Sequence, residues 1–194
     1  MANLVVHSTV TKKNALIIGT IVAIFGFVFI IDMYAWLVKG RFNALELATI
    51  SILLIAVLER MSARYTYELG RKSIIITKKG LFGRSTTHEV YYKDIFGIYQ
   101  YKAKLIGYIK FRKTFRLNSA LDGRDVWVLG YEVKDNDGKK LNYQVYFKPT
   151  PEMLAELEKK LPGKVHGTEE KTVTEMLKEE IKAEETTASK PADS

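Results

Sequence analysis

Residues 15–31 read ALIIGTIVAIFGFVFII, and residues 44–58 read ALELATISILLIAVL. These two apolar stretches lie side by side near the N-terminus, and the chain after Arg60 has no further stretch of this kind. A helix that crosses the hydrocarbon core of a bilayer needs roughly 20 mostly apolar residues. The first stretch stays largely apolar as far as Val38, so residues 15–38 are long enough to span a membrane.

The second stretch is marginal by length, because it contains Glu46 and reaches the minimum only when Phe42 and Met61 are added. Only residues 39–42 separate it from the first stretch, so we expect a tight antiparallel transmembrane hairpin over residues 15–61. A cleaved signal peptide is the rival interpretation. No small-x-small cleavage site follows the first stretch and a second apolar stretch comes at once, which favours an uncleaved anchor.

Basic residues are distributed unequally around the hairpin. The connecting loop contains Lys39 and Arg41, whereas the outer flanks contain Lys12, Lys13, Arg60, Arg64, Arg71 and Lys72. Lys and Arg accumulate on the cytoplasmic side of membrane proteins. We therefore expect a multi-pass protein with both termini and the domain after the hairpin in the cytoplasm. The chain has no Cys, which agrees with a reducing compartment.

Two features of the first helix are candidate functional positions. Gly19, Ala23 and Gly26 fall near one face, and small residues allow helix backbones to approach closely in lipid. They are expected to pack against the second helix of the same chain or against another copy. Asp32 is the only charged residue within residues 15–38. It is either a carboxylate at the outer interface beside the loop cations or an intramembrane group on a proton or ion path.

The chain from residue 65 to residue 148 alternates apolar and polar residues with the period of half-buried strands. The pattern predicts about seven antiparallel strands, over residues 65–69, 73–77, 85–92, 95–101, 108–117, 125–134 and 141–147. The last two form the clearest hairpin, because the turn residues 135–138 join them.

One amphipathic helix follows the strands. Thr150 is a suitable N-cap, and Pro151 and Glu152 suit the first turn of a helix. Apolar residues recur at helical spacing until Pro162-Gly163 ends the segment, at Met153, Leu154, Leu157 and Leu161. This order predicts a small curled antiparallel sheet or barrel, over residues 62–165, whose open end is closed by a single helix.

This layout resembles the pleckstrin-homology (PH) fold, and its motifs resemble the bacterial PH domain family. The resemblance rests on a two-helix hairpin followed by YEL at residues 67–69 and SIIITKKGLFGR at residues 73–84. A strand of this kind runs into a basic, Gly-containing turn, and a later Lys93-Asp94-Ile95 step leads into the next strand. The likeness covers roughly residues 15–162, and the stretch 115–123 departs from it like an insertion.

The resemblance implies a bacterial inner-membrane protein with one membrane-anchored PH-like domain. Members of this family are often oligomeric and not catalytic, and the resemblance does not imply phosphoinositide binding. It supports the expectation of a self-associating scaffold or interaction module with the lipid bilayer, further copies of itself and an unidentified protein as partners.

The charge of the chain, +8 overall, is unevenly placed. Residues 166–194 hold four Lys against eight Asp and Glu, so the rest of the chain is strongly basic. In the predicted strand 108–117, Lys110, Arg112 and Arg116 share one face. The other face carries Ile109, Phe111, Phe115 and Leu117 and is interrupted by Lys113. The basic set is a candidate contact for anionic lipid or an ordinary solvated face, and it consists of Lys102, Lys104, Lys110, Arg112 and Arg116. No recognition helix or aromatic platform accompanies the charge, so nucleic acid is not an expected partner.

The chain divides into four parts on these patterns. Residues 1–14 form a cytoplasmic N-terminal segment, and residues 15–61 form the hairpin. Residues 62–165 form the PH-like domain. Residues 166–194 form an acidic tail that is expected to be largely disordered, with a short amphipathic helix within residues 172–185.

The sequence carries no signature of an enzyme. His7, His88 and His166 are far apart, no Cys is present, and no Gly-rich phosphate loop or nucleophile elbow occurs. Residues 135–146 begin like a calcium loop but lack the Gly at its sixth position and the Glu at its twelfth. We therefore expect no catalytic residue, no metal and no cofactor. The alternatives to a scaffold are a sensor of anionic lipid and an accessory subunit of a membrane pore or transport complex.

Overall fold

A computed structural model describes residues 4–40, 44–80, 83–102, 109–135 and 138–188. The elements are, in chain order, β1 (Leu4–His7), α1 (Lys12–Lys39), α2 (Ala44–Ser62), β2 (Arg64–Leu69), β3 (Ser73–Lys79), β4 (Ser85–Tyr91), β5 (Ile95–Gln100), β6 (Lys113–Arg116), β7 (Trp127–Lys134), β8 (Lys140–Phe147), α3 (Pro151–Lys160), β9 (Val165–His166) and α4 (Glu169–Ala188). A 3-10 turn at Tyr92–Asp94 joins β4 to β5.

The first two helices pack against each other as a hairpin. α1 has 28 residues and is about 42 Å long, and α2 has 19 residues and is about 28 Å long. Gly40 ends α1 in the left-handed conformation (φ 61°), which glycine adopts without steric cost. Within the described residues, one helix is long and apolar enough to cross a membrane, over Lys12–Val38.

The first sheet has the strand order β1-β2-β3-β4, and all its neighbours are antiparallel. β1 precedes the hairpin and β2 follows it, so the two helices interrupt the sheet between adjacent strands. Residues 4–7 therefore belong to the first sheet, although the sequence pattern set residues 1–14 apart. His7, which ends β1, lies opposite Thr66 of β2.

The second sheet has the order β6-β8-β7-β5-β9. The expectation of purely antiparallel strands is wrong here, because β6 runs parallel to β8 and β9 runs parallel to β5. The strand predicted over residues 108–117 is also shorter than expected, since only Lys113–Arg116 pair with β8, and residue 108 lies outside the described residues. β7 and β8 form the predicted antiparallel hairpin, with Trp127 opposite Phe147.

The core lies between the two sheets and under α3. Its fully buried members come from both sheets and from α3, and they include Tyr67, Ile74, Ile76, Val90, Ile98, Leu129, Phe147, Met153 and Leu157. Burial of such side chains contributes roughly 1.5–3 kcal/mol each to folding. Neither sheet closes on itself, so the structure shows a sheet-rich domain with one packed helix and does not show the closed barrel.

The two C-terminal helices dock differently. α3 begins as the sequence predicts, because the hydroxyl of Thr150 accepts a hydrogen bond from the N–H of Met153 at 3.3 Å. α4 covers Glu169–Ala188, a longer helix than the pattern indicates. Its first turns pack on β5, where Thr172 is fully buried above Gly97. A Cβ atom on residue 97 would lie 2.2 Å from the Thr172 methyl group, so glycine is required for this contact.

A histidine joins the two sheets. His88 of β4 hydrogen-bonds the hydroxyl of Tyr131 at 3.2 Å, and its ring lies 4.5 Å from that of Phe115. Burial, and then the nearby Lys113 charge, lower the pKa of His88. His7 and His166 both lie in strands, so neither belongs to an unstructured segment.

Candidate membrane interface

The outer surface of the helical hairpin is apolar along its length. Large side chains stand exposed on both helices, with Leu16 at 71% and Leu45 at 79% of their full accessibility. Further exposed members are Ile24, Phe27, Ile30, Leu37, Ile52 and Ile55. Proteins that live in water rarely expose a continuous apolar surface of this extent, which marks a membrane or protein contact.

The inner surface of the hairpin is marked by half-buried residues at helical spacing. On α1 these positions include Ile18, Val22 and Phe25, and on α2 they include Leu54 beside the buried Ile50. This spacing places each set on one face of its helix, where the two helices meet. The hairpin is therefore held together by ordinary large apolar side chains.

The small residues of α1 lie away from that inner surface. Gly19 and Ala23 are exposed, and a Cβ atom added at Gly19 or Gly26 would meet no atom within 4 Å. At roughly 100° per residue, the three positions share a face that is turned about a quarter of a circle from the contact with α2. Gly19 and Ala23 are therefore open on the outside of the hairpin, whereas Gly26 is half-buried. Packing against the second helix of the same chain and packing against another copy both stay predictions.

Asp32 lies on the inner side of α1 and is half-buried. Its Oδ2 atom is buried and has no hydrogen-bond partner among the described residues. The protein therefore covers this carboxylate oxygen.

A buried polar cluster fixes the domain to the base of the hairpin. Asp122, which is 0% exposed, accepts hydrogen bonds from the backbone N–H and the hydroxyl of Thr9, at 3.1 and 3.2 Å. The guanidinium of Arg124 donates to both oxygens of the same carboxylate, and its Nη2 atom donates to the carbonyl of His7 at 3.0 Å. A carboxylate with this many donors holds the segment before α1 in one position.

A lysine completes the cluster from the other side. Lys148, at 7% exposure, follows β8, and its ammonium donates to the carbonyls of Ser119 and Asp122. The hydroxyl of Tyr67 donates to the carbonyl of Leu117 at 3.0 Å. Both sheets thus contact the loop between β6 and β7, and that loop contacts the start of α1. We call Thr9, Asp122, Arg124 and Lys148 the junction cluster.

Electrostatics keep the junction cluster charged. Burial alone would raise the pKa of Asp122, but the hydrogen bonds from Arg124 and Thr9 outweigh it and lower that pKa. Burial lowers the pKa of Lys148, and the Asp122 charge opposes that shift. Arg124 therefore favours the charged form of Asp122, and Asp122 favours the charged form of Lys148.

The loop from β6 to β7 also contacts the first turn of α1. Thr11 bonds the carbonyl of Leu121 through both its N–H and its hydroxyl, at 2.9 and 2.7 Å. The amide of Asn14 donates to the carbonyl of Ala120 at 3.3 Å. A Cβ atom on Gly123 would lie 2.8 Å from the Thr11 methyl group, so this close approach requires glycine. These contacts make the hairpin and the domain a single unit.

The structure separates the basic residues that the sequence placed in one row. Arg116 and Lys102 lie toward the hairpin end of the second sheet, since Arg116 is opposite Tyr146 and Lys102 follows β5. Arg112 lies at the opposite end, where it pairs with Asp135 at 3.6 Å beside the turn from β7 to β8. Lys110 is exposed just before Arg112, and Lys104 lies outside the described residues.

A different set of cations gathers where the hairpin meets the domain. They come from the start of α1, the end of α2 and the ends of β2 and β3 that adjoin it. We call them the hairpin-base cations: Lys12, Lys13, Arg60, Arg64, Lys78 and Lys79. Lys78 pairs with Glu59 at 3.6 Å, and the register places Arg64 directly opposite Lys79. The flanking charges were visible in the sequence, but the contribution of β3 was not.

The residues of the junction cluster were not singled out by sequence analysis. Residues 115–123 read as an insertion, and the Asp-Gly-Arg-Asp sequence at residues 122–125 gives only a local turn signal. Within the part of the chain that the structure describes, no group of three or more metal-binding side chains is arranged around a common point.

Comparison of the chain with protein-family models, with curated proteins and with solved structures gives no match.

Proposed function

We propose that this chain is a non-catalytic scaffold or interaction module, with a PH-like domain held at the cytoplasmic face of a bacterial inner membrane by the helical hairpin. The observation that carries the proposal is the junction cluster, in which buried Asp122 bonds Thr9 and Arg124. An anchor on a flexible linker needs no such cluster. A fixed junction presents the domain in one orientation relative to the hairpin, which is what a module that recruits or organises other proteins requires.

The PH-like assignment is supported by the order of elements. An antiparallel four-stranded sheet is followed by a second sheet and then by an amphipathic helix, α3, which packs on the core. In this proposal the hairpin is an insertion between the first two strands of the domain. Both termini and the sheets then lie on one side of the membrane, in agreement with the distribution of Lys and Arg along the sequence.

Self-association is the second part of the proposal. Gly19 and Ala23 are exposed, and a Cβ atom at Gly19 or Gly26 would meet no atom within 4 Å, so this face allows another helix to approach the backbone of α1. In lipid, close backbone packing is a main source of helix association, so an unoccupied small-residue face favours contact with a second copy.

The test is the molar mass of the full chain in mild detergent, from light scattering. We expect a discrete oligomer that dissociates in the double variant Gly19→Ile/Ala23→Ile. Ala48→Ile is the matched control, because Ala48 is an exposed small residue on α2. A monomeric wild-type chain, or an oligomer that resists the double variant, would reject self-association through this face.

A further inference from the structure

A cavity opens beside the base of the hairpin. It has a volume of about 740 Å³ and lies between the end of α2 and the neighbouring ends of β1, β2, β3 and β4. Its polar wall includes Arg64, Lys79 and Ser85, and its apolar wall includes Val10 and Met61. A volume of this size is in the range of sites for small ligands.

The polar wall places two positive charges side by side. Arg64 and Lys79 are direct partners on adjacent antiparallel strands, and Ser85 is the partner of Lys79 on the next strand. In the described parts of the chain, neither cation forms an ion pair with a carboxylate. Like charges directly opposite each other destabilise a sheet. An anion bound between them removes this cost.

Residues with hydroxyl groups line the same cavity. Thr66 and Thr77, a second pair of register partners, line the cavity one step further from the hairpin, and Ser85 lines it beside Lys79. His7 hydrogen-bonds Thr66 at 3.1 Å at the edge of this row. Two cations with several hydroxyl groups form the donor set that a phosphate group requires.

The apolar wall indicates where the rest of the ligand lies. Met61 belongs to the last turn of α2, and Val10, which is 64% exposed, lies two residues before α1. Large apolar side chains also stand exposed on the hairpin that this wall adjoins, among them Leu16 on α1. A ligand with a charged head and an apolar body therefore fits both walls.

We propose that this cavity binds the headgroup of an anionic phospholipid, with the phosphate between Arg64 and Lys79 and the acyl chains along the hairpin. This inference rests on the membrane placement in the proposed function, but not on self-association. It differs from a contact through the basic residues just before β6, because Lys110 and Arg112 do not line this cavity. The bound lipid would fix the depth at which the domain sits under the membrane.

The experiment measures lipid binding to the full chain by native mass spectrometry in detergent. The probes are phosphatidylglycerol, which is anionic, and phosphatidylcholine, which is zwitterionic. We expect one phosphatidylglycerol molecule to be retained in preference to phosphatidylcholine. In Arg64→Gln/Lys79→Gln the affinity for phosphatidylglycerol should fall by roughly thirty-fold, from the loss of two cations next to the headgroup.

The matched control is Lys110→Gln/Arg112→Gln, which removes the same charge at two positions that do not line the cavity. We expect wild-type affinity for this variant, and Ser85→Ala should weaken binding about three-fold by removing one neutral hydrogen bond. Ser85→Ala also serves if the double variant does not fold. Equal retention of both lipids, or equal losses in the two double variants, would overturn the proposal.

A third arm uses inorganic phosphate as competitor. If phosphate at the lipid's own concentration displaces phosphatidylglycerol, the site is one for free phosphate and the lipid assignment is wrong. If the chain is a monomer that still retains phosphatidylglycerol, the proposal of self-association is rejected and the lipid site is not. Failure of membrane placement is read separately, from extraction of the chain out of membranes by alkaline carbonate.

Discussion

The carboxylate of Asp122 accepts hydrogen bonds from both the backbone N–H and the hydroxyl of Thr9, at 3.1 and 3.2 Å. This contact joins the loop before β7 to the segment before α1, and 113 residues separate the two in the sequence. Because the carboxylate is buried and Arg124 bonds both its oxygens, the contact is shielded from water. The carboxyl group of Asp122 is therefore one of the contacts that fix the orientation of the hairpin, together with those of Thr11 and Asn14.

Asp122→Ala is expected to destabilise the full chain. Removal of the carboxylate leaves Arg124 and Lys148 without their buried counter-charge, and loss of one partner from a buried charge group costs about 3–5 kcal/mol. Chemical unfolding in detergent micelles, followed by tryptophan fluorescence, measures the change in the free energy of unfolding.

The control for this prediction is Arg112→Gln, which breaks the exposed pair with Asp135. An exposed ion pair contributes at most about 1 kcal/mol, so this variant should unfold nearly as the wild type does. Similar losses in the two variants would mean that the junction cluster has no special role in stability.

Gly97→Ala is expected to detach the start of α4. The added methyl group would lie 2.2 Å from the Thr172 methyl group, a distance that neither the strand nor the helix accommodates without moving. Hydrogen exchange of the backbone amides in the first turns of α4 should become faster by at least about ten-fold, which corresponds to 1.4 kcal/mol of lost docking. Exchange in β7 and β8 should change little.

Two variants test whether the steric contact is the cause. Thr172→Ala removes the methyl group that a residue-97 Cβ would meet, so Gly97→Ala/Thr172→Ala should recover most of the protection. Gly167→Ala adds the same methyl group in open space and should have no effect on docking. Failure of the double variant to recover protection would contradict the steric explanation.

His88 is expected to make the stability of the domain depend on pH. Burial and the Lys113 charge lower its pKa in the folded chain, so the unfolded chain binds more protons between that lowered value and the ordinary value of about 6.5. Stability should therefore fall as the pH decreases below about 6.5. Thermal unfolding in detergent between pH 7.5 and pH 5.5 measures this slope.

His88→Gln keeps a hydrogen-bonding side chain near Tyr131 and removes the titration. The melting temperature of this variant should change less with pH than that of the wild type over the same interval, whatever the constant difference between the two proteins. An unchanged slope in His88→Gln would assign the pH dependence to other groups.

Asp32→Asn distinguishes an anchor from a pore. The Oδ2 atom of Asp32 is buried without a partner among the described residues, so neutralising the carboxylate removes a cost of desolvation. We expect the melting temperature in detergent to rise and the molar mass to stay the same. A loss of ion flux through reconstituted vesicles in this variant would favour the pore alternative.

The local features of the fold could be predicted from the sequence, because they depend on neighbouring residues. The apolar stretch of α1, the alternation in β7 and β8, and the Thr150 cap of α3 are all local signals, and the structure contains each of them. The stripe of Gly19 and Ala23 was also visible. The rotation of α1 relative to α2 could not be predicted from the sequence, since it depends on how larger side chains pack.

The missed features depend on contacts between distant residues. β1 is only four residues long, and its partner β2 follows the whole hairpin, as in the Tyr65–Ser8 hydrogen bond. The parallel pairing of β6 with β8 likewise has no local signature. Asp122 reads as a turn residue until the fold brings Thr9 to it. The junction cluster therefore emerges only from the three-dimensional structure.

The most direct test of the account is the topology of the hairpin in intact membranes. The chain has no cysteine, so single substitutions give an unambiguous signal. Residue 39 is at the loop end of α1, and Thr87 is exposed on β4, so we choose the variants Lys39→Cys and Thr87→Cys. The reagent is a membrane-impermeant maleimide applied to bacterial spheroplasts. We predict that it labels Lys39→Cys in intact spheroplasts, and that it labels Thr87→Cys only after permeabilisation. Labelling of both positions from the same side would show that the two helices do not form a transmembrane hairpin.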